Sequence, residues 1–120
     1  MRGKNYLTKP EQFALVYNKG NSWVNSLLVM KAMPNGLSFS RYGLSVGRRL
    51  GGAVVRNRVK RMLREILRLT PLQAGWDIVF IGRSTAADID FASLEKSVLS
   101  LLSRAQLIAK EYERIGFRVN

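Results

Sequence analysis

Apolar positions recur at helical spacing in three stretches of the chain, and short β-compatible runs separate them. The clearest helical pattern lies between Gly52 and Leu69. Projected at about 100° per residue, Val55, Val59, Met62, Leu63, Ile66 and Leu69 fall on one side, with Leu67 at its margin. Asn57, Lys60, Arg61, Arg64 and Arg68 fall on the opposite side, and Arg56 and Arg58 lie on the shoulders. The pattern predicts an amphipathic helix starting at Gly52 or Ala53 and stopping before Pro71, one face packed and the other cationic.

The other elements follow from weaker patterns. Thr8-Lys9-Pro10-Glu11 has the form of a capping box, with Thr8 as N-cap, and predicts a short helix to about Asn18 that presents Phe13, Val16 and Tyr17 on one face. Residues 23–33 read as one strand, with Leu28, Met30 and Ala32 facing one way and Val29 and Lys31 the other. Pro34-Asn35-Gly36 marks a turn, after which residues 38–46 are expected to pair back as a hairpin. Residues 76–82 carry I-V-F-I without alternation, the mark of a central strand buried on both faces. Asp90 can cap a last helix in which Phe91, Leu94, Val98, Leu101, Leu102 and Ala105 recur at helical spacing. Residues 107–113 continue that helix or form a separate piece, and the tail beyond about 106 carries no assignment. The chain shows no repeat, linker or low-complexity segment. The expectation is one domain over residues 1–120 after a short flexible start: an αββαβα sandwich of class α+β, with a small mixed sheet packed against helices.

Charge changes this picture. Among 120 residues, 20 Lys and Arg stand against 8 Asp and Glu, a net charge of +12, while 47% of residues are apolar. Enough apolar residues are present for a core, so the excess charge points to a polyanionic partner rather than to disorder. Nucleic acid is the first candidate and an anionic membrane surface the second. The basic helix and the turn before it hold eight of those cations between Gly47 and Thr70. From Arg56 to Arg68 the single acid, Glu65, stands among six bases, five of them arginine, which suits bidentate phosphate contacts. Asn57, with both donor and acceptor, suits a phosphate, a 2′-hydroxyl or a base edge.

Composition also excludes chemistry. The chain has no histidine and no cysteine, which removes disulfides, thiolate catalysis, Cys/His zinc sites and Ser-His-Asp machinery. Carboxylates are few and scattered. The one close pair, Asp88 and Asp90, is accounted for by helix capping, whereas a two-metal nuclease needs several convergent acids. The glycines at 47, 51 and 52 lie where phosphate loops occur, but no G-x-x-x-x-G-K-[ST] is present. The first residues lack the apolar core of a secretory signal, and the longest apolar runs are too short to span a bilayer. No membrane association and a cytoplasmic location are the expectation.

At V-V-R-N-R-V-K-R-M-L-R-E the sequence resembles the bacterial ribonuclease P protein subunit family, whose hallmark is the R-N-R helix. The preceding R-Y-G-L-S-V-G-R-R-L-G-G-A resembles that family's glycine-punctuated strand and basic loop, and F-A-L-V-Y-N-K-G its first helix. The likeness extends over about residues 5–105. It implies a small protein cofactor of a catalytic RNA that removes 5′ leaders from precursor tRNA, with Mg²⁺ bound mainly by the RNA. It implies a left-handed βαβ crossover, against the general right-handed rule. It also implies a 1:1 complex of one protein with the ribonuclease P RNA.

By the same resemblance, Arg56, Asn57, Arg58, Lys60, Arg61 and Arg64 face the catalytic RNA. Arg48 and Arg49 match the basic loop, and Arg68 extends the row. A cleft between the first helix and the sheet is expected to hold the single-stranded leader, with Phe13 and Tyr17 as stacking positions. Lys31 stands where the family has a cleft aromatic, which replaces a stacking surface with a cation. Two other classes fit the charge: a structural RNA-binding protein such as a ribosomal protein, and a DNA-binding module using the basic helix in a groove. The ordered motifs favour neither, and no partner helix of a helix-turn-helix lies beside the basic helix.

Overall fold

The computed structural model describes residues 5–109. Helix α1 (Pro10–Lys19) leads into strands β1 (Asn21–Val24), β2 (Leu28–Pro34) and β3 (Arg41–Ser45), then helix α2 (Ala53–Leu69), strand β4 (Trp76–Gly82) and helix α3 (Phe91–Arg104). Short 3₁₀ turns at Arg48–Leu50 and Ser84–Ala86 precede α2 and α3. The class is α+β with a mixed sheet, as expected from the sequence, but with four strands rather than three.

The extra strand comes from Asn25. Its Oδ1 accepts the amides of Leu27 at 3.1 Å and Leu28 at 3.0 Å and the Ser97 hydroxyl at 2.9 Å, while its Nδ2 donates to the Ser97 carbonyl at 3.1 Å. A side chain that satisfies two successive amides makes a local turn in place of a ladder. The stretch expected as one strand therefore folds into the β1–β2 hairpin, tied to α3 by the same asparagine.

The sheet order is β1-β2-β4-β3. β2 pairs antiparallel with β4 through Met30↔Phe80, and β3 pairs parallel with β4 through Tyr42↔Ile78. The hairpin expected between β2 and β3 is thus absent; β4 inserts between them and α2 makes the parallel crossover. Central placement of β4 is as the unbroken apolar run predicted, and Asp77, Ile78, Val79 and Phe80 are all buried. Residues 6 and 7 run along the outer edge of β3, where the Leu7 amide donates to the Tyr42 carbonyl at 2.9 Å.

Strand alternation gives the sheet two covered faces. On one, Leu28, Met30, Ala32, Ile78, Phe80 and Tyr42 meet Val59, Leu63, Ile66 and Leu67 of α2 and Leu94, Val98, Leu101 and Leu102 of α3. Leu67 belongs to this core, whereas Leu69, assigned to it by projection, is 52% exposed. Over seventeen residues the apolar stripe drifts round the helix, and Thr70 closes it with a hydroxyl bond to the Ile66 carbonyl. On the other face α1 covers a smaller cluster in which Phe13, Val16, Val79, Met33, Ile81 and Leu7 pack together.

Helix ends also differ in detail from the sequence reading. Lys9, not Thr8, is the N-cap of α1, with Pro10 at the first helical position. Gln12 supplies the reciprocal half of the box, its Oε1 accepting the Thr8 and Lys9 amides at 2.8 and 3.0 Å; Glu11 falls one residue short of that reach. Asp90 stands at the N-cap position of α3 as expected, though its side chain makes no capping hydrogen bond. α3 ends at Arg104 with Ala105 as its C-cap; Gln106 beyond it is left-handed at φ 59°, and the Leu107 amide bonds back to the Leu102 carbonyl. Leu107 and Ile108 are buried and pair with the loop before β4. Residues 107–109 therefore break from the helix; the remainder of 107–113 and the tail lie outside the described residues.

Candidate nucleic-acid interface

The outer face of α2 is where the sequence placed its cations. Asn57, Arg61 and Arg64 are exposed, and Lys60 is half-buried at the edge of the packed face. Among the described residues Asn57, Lys60, Arg61 and Arg64 take no side-chain partner. They form a ridge with spacing i, i+3, i+4, i+7, so their polar ends can meet successive phosphates.

Three other predicted cations are differently placed. Arg58 turns toward the core side and donates to the carbonyls of Ala87 and Ile89. Those carbonyls sit in the loop leading to α3, so Arg58 ties the N-terminal half of α2 to the start of α3. Arg68 forms an i, i+3 ion pair with Glu65 at 2.7 Å, and this partner holds its guanidinium pKa above the ordinary value. Both side chains are about half exposed, so the pair is weak and open to exchange for a phosphate. Arg56 is half-buried, with its Nε shielded from solvent and without a partner among the described residues.

Arg48 and Arg49 project from the 3₁₀ turn before α2 and are exposed. Between them and the helix, Leu50 is 5% exposed and anchors the turn in the core. Gly51 makes the reversal possible with φ of 138°, and a Cβ there would meet Val55 at 3.3 Å. The loop is thereby fixed beside the first turn of α2, and the two arginines extend its positive face.

The second predicted site lies across the sheet. Phe13 and Tyr17 stand one turn apart on α1 with ring centroids 6.5 Å apart and planes tilted by 57°. Lys31, on β2, reaches the end of the same helix and donates to the Tyr17 carbonyl at 3.3 Å. The structure therefore brings all three cleft candidates together. Gly43 opens the space Phe13 occupies: a Cβ there would lie 2.5 Å from two ring carbons. Tyr17 is 37% exposed while Phe13 is half-buried on Val79 and Ile81. Tyr17 offers the more open ring, and Phe13 keeps part of its surface exposed beside it.

Two aromatics near α2 escaped the sequence reading. Tyr6 packs edge-on against Tyr42, centroids 4.8 Å apart, and Phe39 lines the same groove as the arginines of α2. Local pattern cannot find them, because residue 6 reaches residue 42 only through edge pairing.

The fold and this one-sided helix define a small cationic α+β protein with a surface suited to a polyanion. The ribonuclease P family model matches residues 1–106. A ribonuclease P protein component from Dehalococcoides mccartyi (strain CBDB1) is 45% identical over 120 residues, covering all of both chains. A solved Staphylococcus aureus RNase P protein, a mutant with defective mRNA degradation activity, superposes with TM-score 0.84 at 30% identity, covering 89% of this chain and 92% of that one. The Thermotoga maritima RNase P protein gives 0.76 at 34% identity, covering 82% and 96%. The chain belongs to the ribonuclease P protein family.

Among the described residues no helix is long and apolar enough to cross a membrane, and no three His, Cys, Asp or Glu side chains converge as a metal site.

Proposed function

We propose that this chain is the RNA-binding subunit of a ribonuclease P, joined one to one with the ribonuclease P RNA in the cytoplasm. It assists that RNA in removing the 5′ leader from precursor tRNA. The observation that carries this reading is the ridge Asn57, Lys60, Arg61 and Arg64, unpartnered among the described residues, beside Arg48 and Arg49. Arg56, Arg58 and Arg68 contribute positive potential from the flanks.

The described residues assemble no acid–base or metal-holding group for hydrolysis. The chain has no histidine or cysteine in its sequence, and its described residues offer no acidic cluster that fits Mg²⁺. The metal is assigned to RNA phosphates, and the catalytic centre to the RNA. The protein's part is electrostatic and positional: its cations lower the repulsion between the two RNAs and raise the local occupancy of Mg²⁺. The α1–sheet cleft takes the single-stranded leader, with bases on Tyr17 and Phe13 and a phosphate near Lys31.

The test adds purified protein to ribonuclease P RNA at low Mg²⁺ and follows 5′ leader cleavage. Stimulation is expected. Absence of stimulation, with the RNA bound, would favour a structural RNA-binding role.

A further inference from the structure

Beside the cationic ridge lies a groove of about 590 Å³ that the α1–sheet cleft does not share. One wall is aromatic, from Tyr6, Phe39 and Tyr42; the other is the last two turns of α2, with Arg61, Arg64 and Arg68. It is on the α2 side of the sheet, at the β3 edge where residues 6 and 7 pair, whereas Phe13 and Tyr17 are on the α1 side.

The walls are held in place by bonds from residues behind them. Tyr6 is fixed edge-on against the buried Tyr42. The loop carrying Phe39 is pinned by Asn35, whose Nδ2 donates to the Phe39 carbonyl at 3.2 Å, and by Ser40, which accepts the Trp76 amide at 2.9 Å. Arg41 beside it is clamped by Asp77. Glu65, the one acid in the lining, already binds Arg68 through both oxygens. Against that one carboxylate stand three guanidinium groups, so the lining is net positive. Among the described residues the Tyr6 hydroxyl has no hydrogen-bond partner.

A volume of this size lies within the ordinary range for small-ligand sites, about 300–1,000 Å³. Aromatic faces opposite guanidinium groups are the pairing that recognises one base with its phosphate, and unstacked bases are the parts of RNA that proteins hold in this way. Arg61 and Arg64 belong to both the ridge and the groove, so a strand lying on the ridge passes the groove mouth.

We propose that this groove receives a single unstacked nucleotide of the RNA bound by α2, its base against Tyr6 and Phe39 and its phosphate on Arg61 and Arg64. The inference rests on the proposed binding of ribonuclease P RNA by α2. It adds a base-holding site to an otherwise phosphate-directed surface.

The experiment uses the full chain assembled with ribonuclease P RNA. Ultraviolet crosslinking followed by mass spectrometry is expected to give a nucleotide adduct on Tyr6 or Phe39. Ser38, exposed at the groove rim, allows the site to be plugged from outside the core. Ser38→Trp is expected to weaken assembly about tenfold, the loss of one stacked base, with the salt slope unchanged because no phosphate contact is removed. Phe39→Ala is expected to do the same and serves if the tryptophan variant melts early. RNA bound with wild-type affinity by both folded variants, and no adduct at residues 6 or 39, would overturn the groove and leave the α2 interface intact. Failure of the wild-type chain to bind the RNA would remove the underlying reading, and the groove with it.

Discussion

The Arg58 guanidinium donates to the Ile89 carbonyl, so one of the two arginines in the R-N-R motif serves the fold as well as the charged surface. Its second bond, to Ala87, reaches the same loop. Arg61, one turn later, is exposed and makes neither kind of contact. Substituting the two should separate stability from binding. Arg58→Ala is expected to cost about 1–3 kcal/mol in denaturant unfolding, because two carbonyls lose a charged donor. Arg61→Ala should leave unfolding within about 0.5 kcal/mol and lower the salt slope of RNA binding by about 0.7–0.9, one phosphate contact. Equal stability losses in both variants would contradict this division of labour.

The Asp77 carboxylate organises the β3–β4 end of the sheet. It accepts Arg41 at 2.9 and 2.7 Å and Asn35 at 2.9 Å, and the residue is only 4% exposed. The pairing raises the Arg41 pKa, first through the hydrogen bond and then through charge. Asp77→Ala leaves Arg41 without its partner in a half-buried setting and is expected to destabilise by about 3 kcal/mol. Replacing Asp77 and Arg41 together by apolar residues should cost less than Asp77→Ala alone. A double-mutant cycle measured by chemical unfolding checks this.

Asp90 supplies the pH-dependent part. The neighbouring Ser93 hydroxyl leads the causes that hold its carboxyl below the ordinary 3.8; the charge of Arg58 adds a smaller share. A carboxyl depressed in the folded state stabilises at pH values above its unfolded pKa, and that contribution disappears as pH falls through the folded value. The stability difference between the wild-type chain and Asp90→Ala should therefore be constant above about pH 5 and shrink below 3.8. Thermal melts from pH 3 to pH 7 read it directly; a difference that grows on acidification would contradict the assignment.

The basic helix was legible because period and charge coincide over its whole length: the structure begins it at Ala53 and ends it at Leu69. β4 was legible because an unbroken apolar run has few other places to go. What local pattern missed depends on partners distant in sequence. Asn25 reads as one more residue of a 23–33 strand until Ser97 is beside it. The β2–β3 hairpin was expected from a strong turn at Asn35-Gly36, yet β4 offers β2 a longer apolar edge. Phe13, Tyr17 and Lys31 were grouped by family likeness, and the fold brings them together. Arg58 and Arg68 read as free cations because their acceptors, two loop carbonyls and an ion-pairing acid, carry no periodic mark.

Gly43 and Phe13 give the last prediction, because the ring fills the space a side chain at 43 would take. Gly43→Ala places a methyl carbon 2.5 Å from the ring, so Phe13 must shift; the cost is expected at about 1–3 kcal/mol of stability. Phe13→Ala removes the ring instead. On the proposed reading, it should weaken precursor tRNA binding by about 1–3 kcal/mol, one stacked base, while mature tRNA binding scarcely changes. Combining Gly43→Ala with Phe13→Ala should relieve the clash and recover part of the stability, since the added methyl then faces the space the ring vacated. It should not recover leader affinity. Binding of both tRNA forms to the assembled complex, measured beside thermal melting of the free protein, separates the two effects. Equal losses for precursor and mature tRNA in Phe13→Ala would remove the leader from this cleft.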